Sequence, residues 1–367
     1  MKRLLLLLLL LSSGACSPKR AADQLAKDSA TVQATDGSLT FKDVTLQQFD
    51  DQGRLLWKVK AKQARYSEDQ KIAKIQDPTG ELFQDGKLVF QITALQGEVQ
   101  QDGKKIFLKD KIVATDIRDK VVLRGQELEW LPQKDTLIVR KNLTGTHAQV
   151  NASAQEARAF SRARRVEFVG QVVAVTKDPA LRLRAEKLLW QLPQQLITSD
   201  RPIQVDRYEK QQVSDRASGG RAEVNLKEKT AKLQQNAQVF LISPPVTIGS
   251  QALLWNLKAQ RIVSEQPITV QHREQQVVML ADRGQLDLTQ RIFYFMGNAR
   301  ARGRDQAQLS SSTLTWLIPK QEVQAEGDVR YRQPNPPFNL TGPQAVGKLQ
   351  DQTIVISGGR VVTEIIP

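Results

Sequence analysis

Few side chains of this chain could take part in catalysis. Its 367 residues include one cysteine, Cys16, and two histidines, His147 and His272, which lie 125 positions apart. A zinc site needs three or four Cys, His or carboxylate ligands, and a Ser–His or Cys–His mechanism needs a histidine beside its nucleophile. Neither histidine has such neighbours in sequence, and no glycine-rich phosphate-binding loop occurs. The sequence therefore predicts a protein that is not an enzyme, with no metal and no cofactor.

Arginines are the residues with the clearest binding chemistry. The chain has 53 Lys and Arg against 39 Asp and Glu, which gives a net charge of +14. Two arginine groups recur at every second position, as residues on one face of a strand do: Arg182 and Arg184, and Arg300, Arg302 and Arg304. Several guanidinium groups on one face can hold phosphate or carboxylate, so we predict that these arginines bind anionic groups. The alternative is that each group is a solvated outer face.

The first 36 residues have the composition of a sorting segment. Two basic residues precede eight leucines, and small residues lead to Cys16, a pattern typical of a signal segment. Eight leucines span about 12 Å as a helix, too little for a hydrocarbon core of about 30 Å. We predict a signal segment at residues 1–15, a lipobox with Cys16 as the lipidated residue, and a flexible tether at 16–36. Two alternatives stay open, namely an ordinary signal cleaved after Ala15 and a short uncleaved anchor.

From residue 37 onward the chain repeats one unit, which is a strand, a short polar turn and a second strand. The turns begin about 31 residues apart over nearly the whole length, and such regular spacing is typical of repeat folds. Short turns join antiparallel neighbours, because a parallel crossover needs a dozen or more residues. The sequence therefore predicts one all-β domain at residues 37–367, built from about ten hairpin repeats. The turns lie at 68–70, 101–103, 132–134, 161–163, 193–194, 227–229, 258–260, 289–291, 319–321 and 350–352.

Apolar residues alternate along these strands, so one face of each strand is predicted to lie on a core. A Leu-x-Trp motif precedes every second turn, whereas the intervening hairpins carry glycine and small residues, for example at Gly170 and Gly297. We interpret this difference as two facing sheets that successive hairpins fill in turn.

These features together resemble the LptC/LptA (OstA-like) family, whose members carry lipopolysaccharide across the periplasm. The resemblance rests on the signal segment, on the strand over 51–59 that leads into 61–66, and on hairpins with the pattern A-x-x-L-x-W-x-L-x-x-x-x-I. It covers roughly residues 37–366, and the length is similar to that of the long LptC of cyanobacteria. It implies an extended antiparallel β-jelly-roll, folded like a taco and open along one edge, with acyl chains in its apolar groove. Cys16 departs from the family, which more often keeps a transmembrane helix.

For this chain the resemblance implies a periplasmic relay protein that is anchored to the inner membrane by its N-terminus. It would bind lipopolysaccharide, receive it from the periplasmic domains of the ABC transporter at its N-terminal edge, and pass it on at its C-terminal edge. The receiver would be an LptA-like bridge protein or the outer-membrane translocon domain. The five arginines become candidates for the lipid headgroup at the groove rim. The candidates for the groove itself are Trp57, Val59, Leu128, Trp130, Leu188, Trp190, Leu253, Trp255, Leu314 and Trp316.

Other interpretations compete with a lipid relay. Each tryptophan alternatively fills a closed sandwich core, and a non-enzymatic envelope assembly scaffold would need no groove. A β-propeller blade needs about 40–45 residues, more than the repeat found here. A parallel β-helix that acts on polysaccharide would show acidic residues in fixed register, and none is visible. Nucleic acid is not an expected partner, because no aromatic residues interleave with the arginines at 300–304 for base stacking.

Overall fold

The computed structural model describes residues 33–35, 38–100, 102–349 and 353–365. Within these ranges the secondary structure is β, apart from single turns of 3-10 helix at Pro132–Lys134 and Ile318–Lys320. The strands form one antiparallel hydrogen-bonded sheet, so the predicted all-β, extended jelly-roll fold is confirmed. The strands are β1 (Gln33–Thr35), β2 (Ser38–Phe49), β3 (Leu55–Tyr66), β4 (Ile72–Gln76), β5 (Thr79–Gln84), β6 (Lys87–Thr93), β7 (Gln96–Gln100), β8 (Ile106–Asp116), β9 (Val122–Leu131), β10 (Thr136–Thr146), β11 (Val150–Phe160), β12 (Arg165–Thr176), β13 (Leu181–Gln191), β14 (Leu196–Ser199), β15 (Ile203–Glu209), β16 (Gln212–Gly219), β17 (Arg221–Asn225), β18 (Thr230–Leu241), β19 (Val246–Asn256), β20 (Arg261–Ser264), β21 (Ile268–His272), β22 (Val277–Ala281), β23 (Arg283–Asp287), β24 (Ile292–Arg302), β25 (Gln308–Leu317), β26 (Glu322–Pro334), β27 (Pro337–Lys348), β28 (Thr353–Ser357) and β29 (Val362–Ile365).

The turns lie where the sequence predicts them. Each predicted turn that falls in the described ranges connects two consecutive strands. The turn predicted at 350–352 lies outside the described residues, as do the signal segment and Cys16. Within the predicted tether, only β1 belongs to the described part, and it pairs with the start of β2.

Long strands of the sheet bend near their middle. In β10 Leu137 and Val139 point inward before the bend and Leu143 after it, and the residues at 140–142 between them are not buried. At the bend itself Lys141 and Asn142 adopt left-handed φ values of 62° and 54°. The pairing register with both neighbouring strands shifts at the same place. Extra residues inserted in this way form a β-bulge, which turns the strand.

Glycine occupies a left-handed position at several of these bends. Gly170 in β12 has φ 80°, and Gly297 in β24 has φ 78°, values that glycine adopts without a Cβ clash. The expectation that successive hairpins fill two sheets in turn is wrong. Long strands such as β12 and β24 cross their bend and pair with the next strand on both sides of it, so a single hairpin of such strands contributes to both sheets. The left-handed pairs lie at 110–111, 141–142, 170–171, 235–236, 297–298 and 327–328.

The bends fold the sheet onto itself. A straight strand of eleven residues would keep its ends about 35 Å apart, yet turns at opposite strand ends touch each other. Lys229 Nζ lies 2.8 Å from Asp178 Oδ2, for example. We call the half of the sheet that lies next to the predicted turns "half A", and we call the opposite one "half B". The inward residues of both form one apolar core. At about 4.8 Å per strand, the stack from β2 to β29 is on the order of 100 Å long.

Candidate functional site

The space between the two halves is lined by inward side chains along the whole stack. All ten residues predicted to line a groove point into this space, and none is more than 3% exposed. Trp57 and Val59 lie in half B, and the other eight lie in half A beside the turns. Their side chains therefore touch protein, and a lipid chain reaches them only if the halves move apart.

The five tryptophans bring unpaired donors into this interior. The indole Nε1 atoms are buried and have no acceptor among the described residues, and a buried donor without a partner costs about 1–3 kcal/mol. The ring of His147 lies 5.0 Å from that of Trp190, edge to face. His272 covers Trp316 in the same way, at 5.6 Å. A core selected only for stability would avoid such donors. The five are Trp57, Trp130, Trp190, Trp255 and Trp316.

Both histidines are neutral wall residues in this interior. Burial lowers the pKa of His147 and of His272, and Nδ1 of His272 accepts a hydrogen bond from the backbone N–H of Gln275 at 3.2 Å. The described residues contain no cluster of His, Cys, Asp or Glu that could hold a metal ion.

The turns of half A meet those of half B along a line that we call the mouth. Ion pairs and hydrogen bonds between side chains bridge the mouth over much of its length. Exposed ion pairs contribute about 0–1 kcal/mol each, so the larger barrier to opening is the apolar packing behind them. Sequence patterns gave no sign of these bridges, whose partners lie about 45 to 77 residues apart. The bridges are Arg162 to Asp85 at 3.2 Å, Arg164 to Asp119 at 2.5 Å, Lys229 to Asp178 at 2.8 Å, Gln149 to Gln195 at 2.9 Å and Arg207 to Gln260 at 3.1 Å.

Towards the C-terminus the mouth is open. A cavity of about 270 Å³ lies there between the turn 303–307 of half B and the residues of half A around 347–349. Leu309 and Val323 line it and also belong to the apolar core, so the cavity, which we call the opening, leads into the interior. Its lining carries two basic side chains, Arg304 and Lys348, and two acidic ones, Glu274 and Asp305.

Tyr331 lies deeper in the opening. Burial raises the pKa of its hydroxyl, which donates to Gln333 Oε1 at 3.0 Å. Neither Tyr331 nor Lys348 was among the predicted site residues, because no local motif marks them.

The five arginines predicted for the headgroup lie in different places. Arg184 lies on the outer surface of half B, 2.8 Å from Asp206, and Arg182 stacks over the ring of Tyr208 at 5.4 Å. Arg300 and Arg302 also face outward, near the end of β24. Since β24 ends at residue 302, Arg304 falls in the following turn and lines the opening. The structure thus brings one of the five to the mouth.

The two ends of the stack carry strands with unpaired edges. At the N-terminal end β1 covers only residues 38–40 of β2. At the C-terminal end β28 and β29 pair with β27 and with no other described strand. Val355 and Val362 are exposed there. Exposed apolar edge strands tend to associate with other strands.

A comparison with protein families identifies a matching family. The family model described as lipopolysaccharide-assembly, LptC-related, matches residues 4–137 and 120–242, which together span more than half of the chain. The strands after residue 242 continue the same pairing pattern. No curated protein matches the chain. Among the residues that the structure describes, no helix is long and apolar enough to cross a membrane.

Proposed function

This chain belongs to the LptC-related family of lipopolysaccharide-assembly proteins, and we propose that it carries lipopolysaccharide between its two sheet halves. Membership implies involvement in lipopolysaccharide transport in the cell envelope, and in this proposal the role is non-enzymatic. The observation that carries the proposal is the apolar interior, which runs the length of the stack and is open to solvent at one end.

Acyl chains are the part of the lipid that fits this interior. Each CH₂ group that leaves water gains about 0.8 kcal/mol, which offsets the loss of packing between the two halves when they separate. Because the interior is filled and the mouth is bridged, separation starts most readily at the opening. The unpaired indole N–H groups would then donate to ester and amide carbonyls of the bound lipid, and Arg304 and Lys348 would attract its anionic groups.

A relay role gives each end of the stack a partner. In this proposal the N-terminal edge at β2 receives lipid from the inner-membrane ABC transporter, and the N-terminal segment, with Cys16 as a lipid anchor, holds the protein to that membrane. The edge at β28 and β29 passes lipid to an LptA-like bridge protein or to the outer-membrane translocon domain, by strand addition. A stack on the order of 100 Å long supports such a transfer over distance. The similarity to the long cyanobacterial form stays a prediction.

A pair of charged substitutions tests lipid binding at the opening. Leu309 lines the opening and is 8% exposed, whereas Leu254 lies on the outer surface of half A and is 44% exposed. We expect L309D to weaken binding of labelled lipopolysaccharide at least about tenfold, because it places a carboxylate in the acyl path. L254D is expected to bind as the wild type does.

A second variant keeps the test valid if L309D does not fold. A307W fills the opening with an apolar ring, and it is expected to weaken lipopolysaccharide binding without adding charge. Equal binding by wild type, L309D and A307W, all shown to be folded by circular dichroism, would contradict the proposal.

The bridged mouth favours a second candidate, an envelope assembly scaffold whose interior is a closed core. In that case lipopolysaccharide does not bind to the wild type, and substitutions at the opening change only the free energy of unfolding.

A further inference from the structure

Four arginines form a rectangle on the outer surface of half B near the C-terminal end. Between them β25 presents Ser310, which pairs with Arg300 on one side and Arg330 on the other. Gln308 lies in the same way between the other two arginines. From strand geometry, the sides of the rectangle are about 7 Å along the strands and about 10 Å across them. The arginine rectangle consists of Arg300 and Arg302 on β24 and Arg330 and Arg332 on β26.

Among the side chains that the structure describes, none of the ion pairs within 4.0 Å involves these four guanidinium groups. Arg302 donates to the neutral side chain of Gln306. Two outward arginines elsewhere are neutralised, since Arg184 pairs with Asp206 at 2.8 Å and Arg140 lies between Glu129 and Glu156. Four like charges at this spacing repel one another, so an anion that bridges them relieves the repulsion.

The surface over the rectangle is concave and rich in neutral polar groups. A depression of about 1150 Å³ covers it, with the hydroxyl groups of Ser310, Ser312 and Thr341 in its lining. Asp328 lies beside the bend of β26, towards one end of the depression. A flat bilayer surface does not enter a depression, whereas a single molecule does. Guanidinium groups bind phosphate and carboxylate in two-pronged fashion, and hydroxyl and amide groups suit the hydroxyl groups of sugars.

We propose that the arginine rectangle binds an acidic saccharide, with the arginines on its phosphate or carboxylate groups and Ser310 and Gln308 on its hydroxyl groups. Residues 303–307 alone separate the end of β24 from β25, and this turn lines the opening. Saccharide joined to acyl chains in the opening would therefore lie over this turn and reach the rectangle. The identification of the saccharide as that of lipopolysaccharide rests on the proposed function, whereas the binding site itself does not.

Two double variants with the same spacing test the site in the full chain. R300Q/R302Q removes one side of the rectangle. R182Q/R184Q removes two outward arginines of the same half whose environment already contains Asp206 and Tyr208. The probe is the soluble saccharide released from lipopolysaccharide by mild acid, in phosphorylated and dephosphorylated forms, measured by calorimetry at low ionic strength. We expect R300Q/R302Q to weaken binding of the phosphorylated form about 100-fold, and R182Q/R184Q to change it less than about twofold.

Further measurements distinguish saccharide binding at this site from lipid binding in the interior. L309D is expected to keep saccharide binding, and R300Q/R302Q is expected to keep uptake of a neutral diacylglycerol probe. Dephosphorylation of the saccharide and higher ionic strength are both expected to weaken binding. Failure of the wild type to bind the soluble saccharide would overturn the inference, even if diacylglycerol uptake supports the proposed function. Capture of the wild type by phosphatidylglycerol vesicles, lost in R300Q/R302Q and without saccharide binding, would instead make the surface a membrane contact and would also overturn it.

Discussion

Replacement of Trp255 by alanine is expected to destabilise the lipid-free protein by about 3–5 kcal/mol. The indole is 0% exposed and lies between Ala231 of β18 and Ile262 of β20 in the pairing register. The guanidinium carbon of Arg207 lies 5.6 Å from its ring. Removal of this side chain leaves a cavity in the middle of a bridged stretch, where the surrounding strands have little freedom to collapse.

Phenylalanine at the same position is expected to cost far less. Trp255→Phe keeps an aromatic ring but fills less of the interior, which destabilises the protein. It also removes the unpaired indole donor, and relief of a buried unpaired donor is worth about 1–3 kcal/mol. These effects oppose each other, so we expect the free energy of unfolding of W255F to lie within about 1 kcal/mol of the wild type.

Urea denaturation followed by far-ultraviolet circular dichroism gives the comparison, with lipid removed from every sample. L254A serves as the matched control, because Leu254 precedes Trp255 and is 44% exposed; it is expected to change the free energy of unfolding by no more than about 0.5 kcal/mol. A cost of W255A no larger than that of L254A would refute the packed interior. A cost of W255F equal to that of W255A would refute the unpaired donor.

Two further predictions concern pH and the bends. Because burial lowers the pKa of His272 in the folded state, the unfolded chain binds its proton more readily. The free energy of unfolding should therefore fall as the pH drops below the unfolded value of about 6.5, and H272Q should reduce this fall in urea titrations at several pH values. At the bend of β12, G170A forces an alanine to φ 80° and should lower the free energy of unfolding by about 1–2 kcal/mol. In G249A the new Cβ meets no atom within 4 Å, so the same denaturation assay should show no loss; equal costs for both variants would contradict the role of the bend.

Turns and inward faces were predictable because both depend on local sequence. Polar residues such as Gln133 and Lys134 favour the turns, and residues such as Leu253 and Trp255 follow the period of a half-buried strand. These patterns repeat along the chain, so a misreading of one repeat is corrected by the others.

The bends were not predictable, because left-handed residues there are often not glycine. Lys141 and Asn142 in β10 carry no signal that distinguishes them from ordinary strand residues. In some strands the bend shifts the alternation, as in β13, where the buried Ala185 is followed by the buried Leu188, so a count from one half of the sheet gives the wrong surroundings for residues beyond it. The end of β24 at Arg302 was not predictable either, and it places Arg300 on the outer surface but Arg304, only four positions later, in the opening.

The bridges across the mouth were not predictable from the sequence either. Arg164 and Asp119 are 45 positions apart and meet because two bends bring distant turns together. Neither residue belongs to a motif. Whether the mouth opens therefore cannot be inferred from composition or periodicity. Yet the opening of the mouth determines whether the interior binds lipid.

Photo-leucine at positions 253 and 254 tests most directly whether lipid enters between the halves. The two leucines are adjacent in β19, but Leu253 is 1% exposed and faces the interior, whereas Leu254 is 44% exposed and faces outward. The diazirine side chain is close in size to leucine, so neither site is overfilled. Irradiation of cells that make lipopolysaccharide is predicted to give a lipopolysaccharide adduct at 253 and none at 254. Absence of an adduct at 253 in folded, exported protein, or equal adducts at both positions, would contradict lipid transport between the two halves.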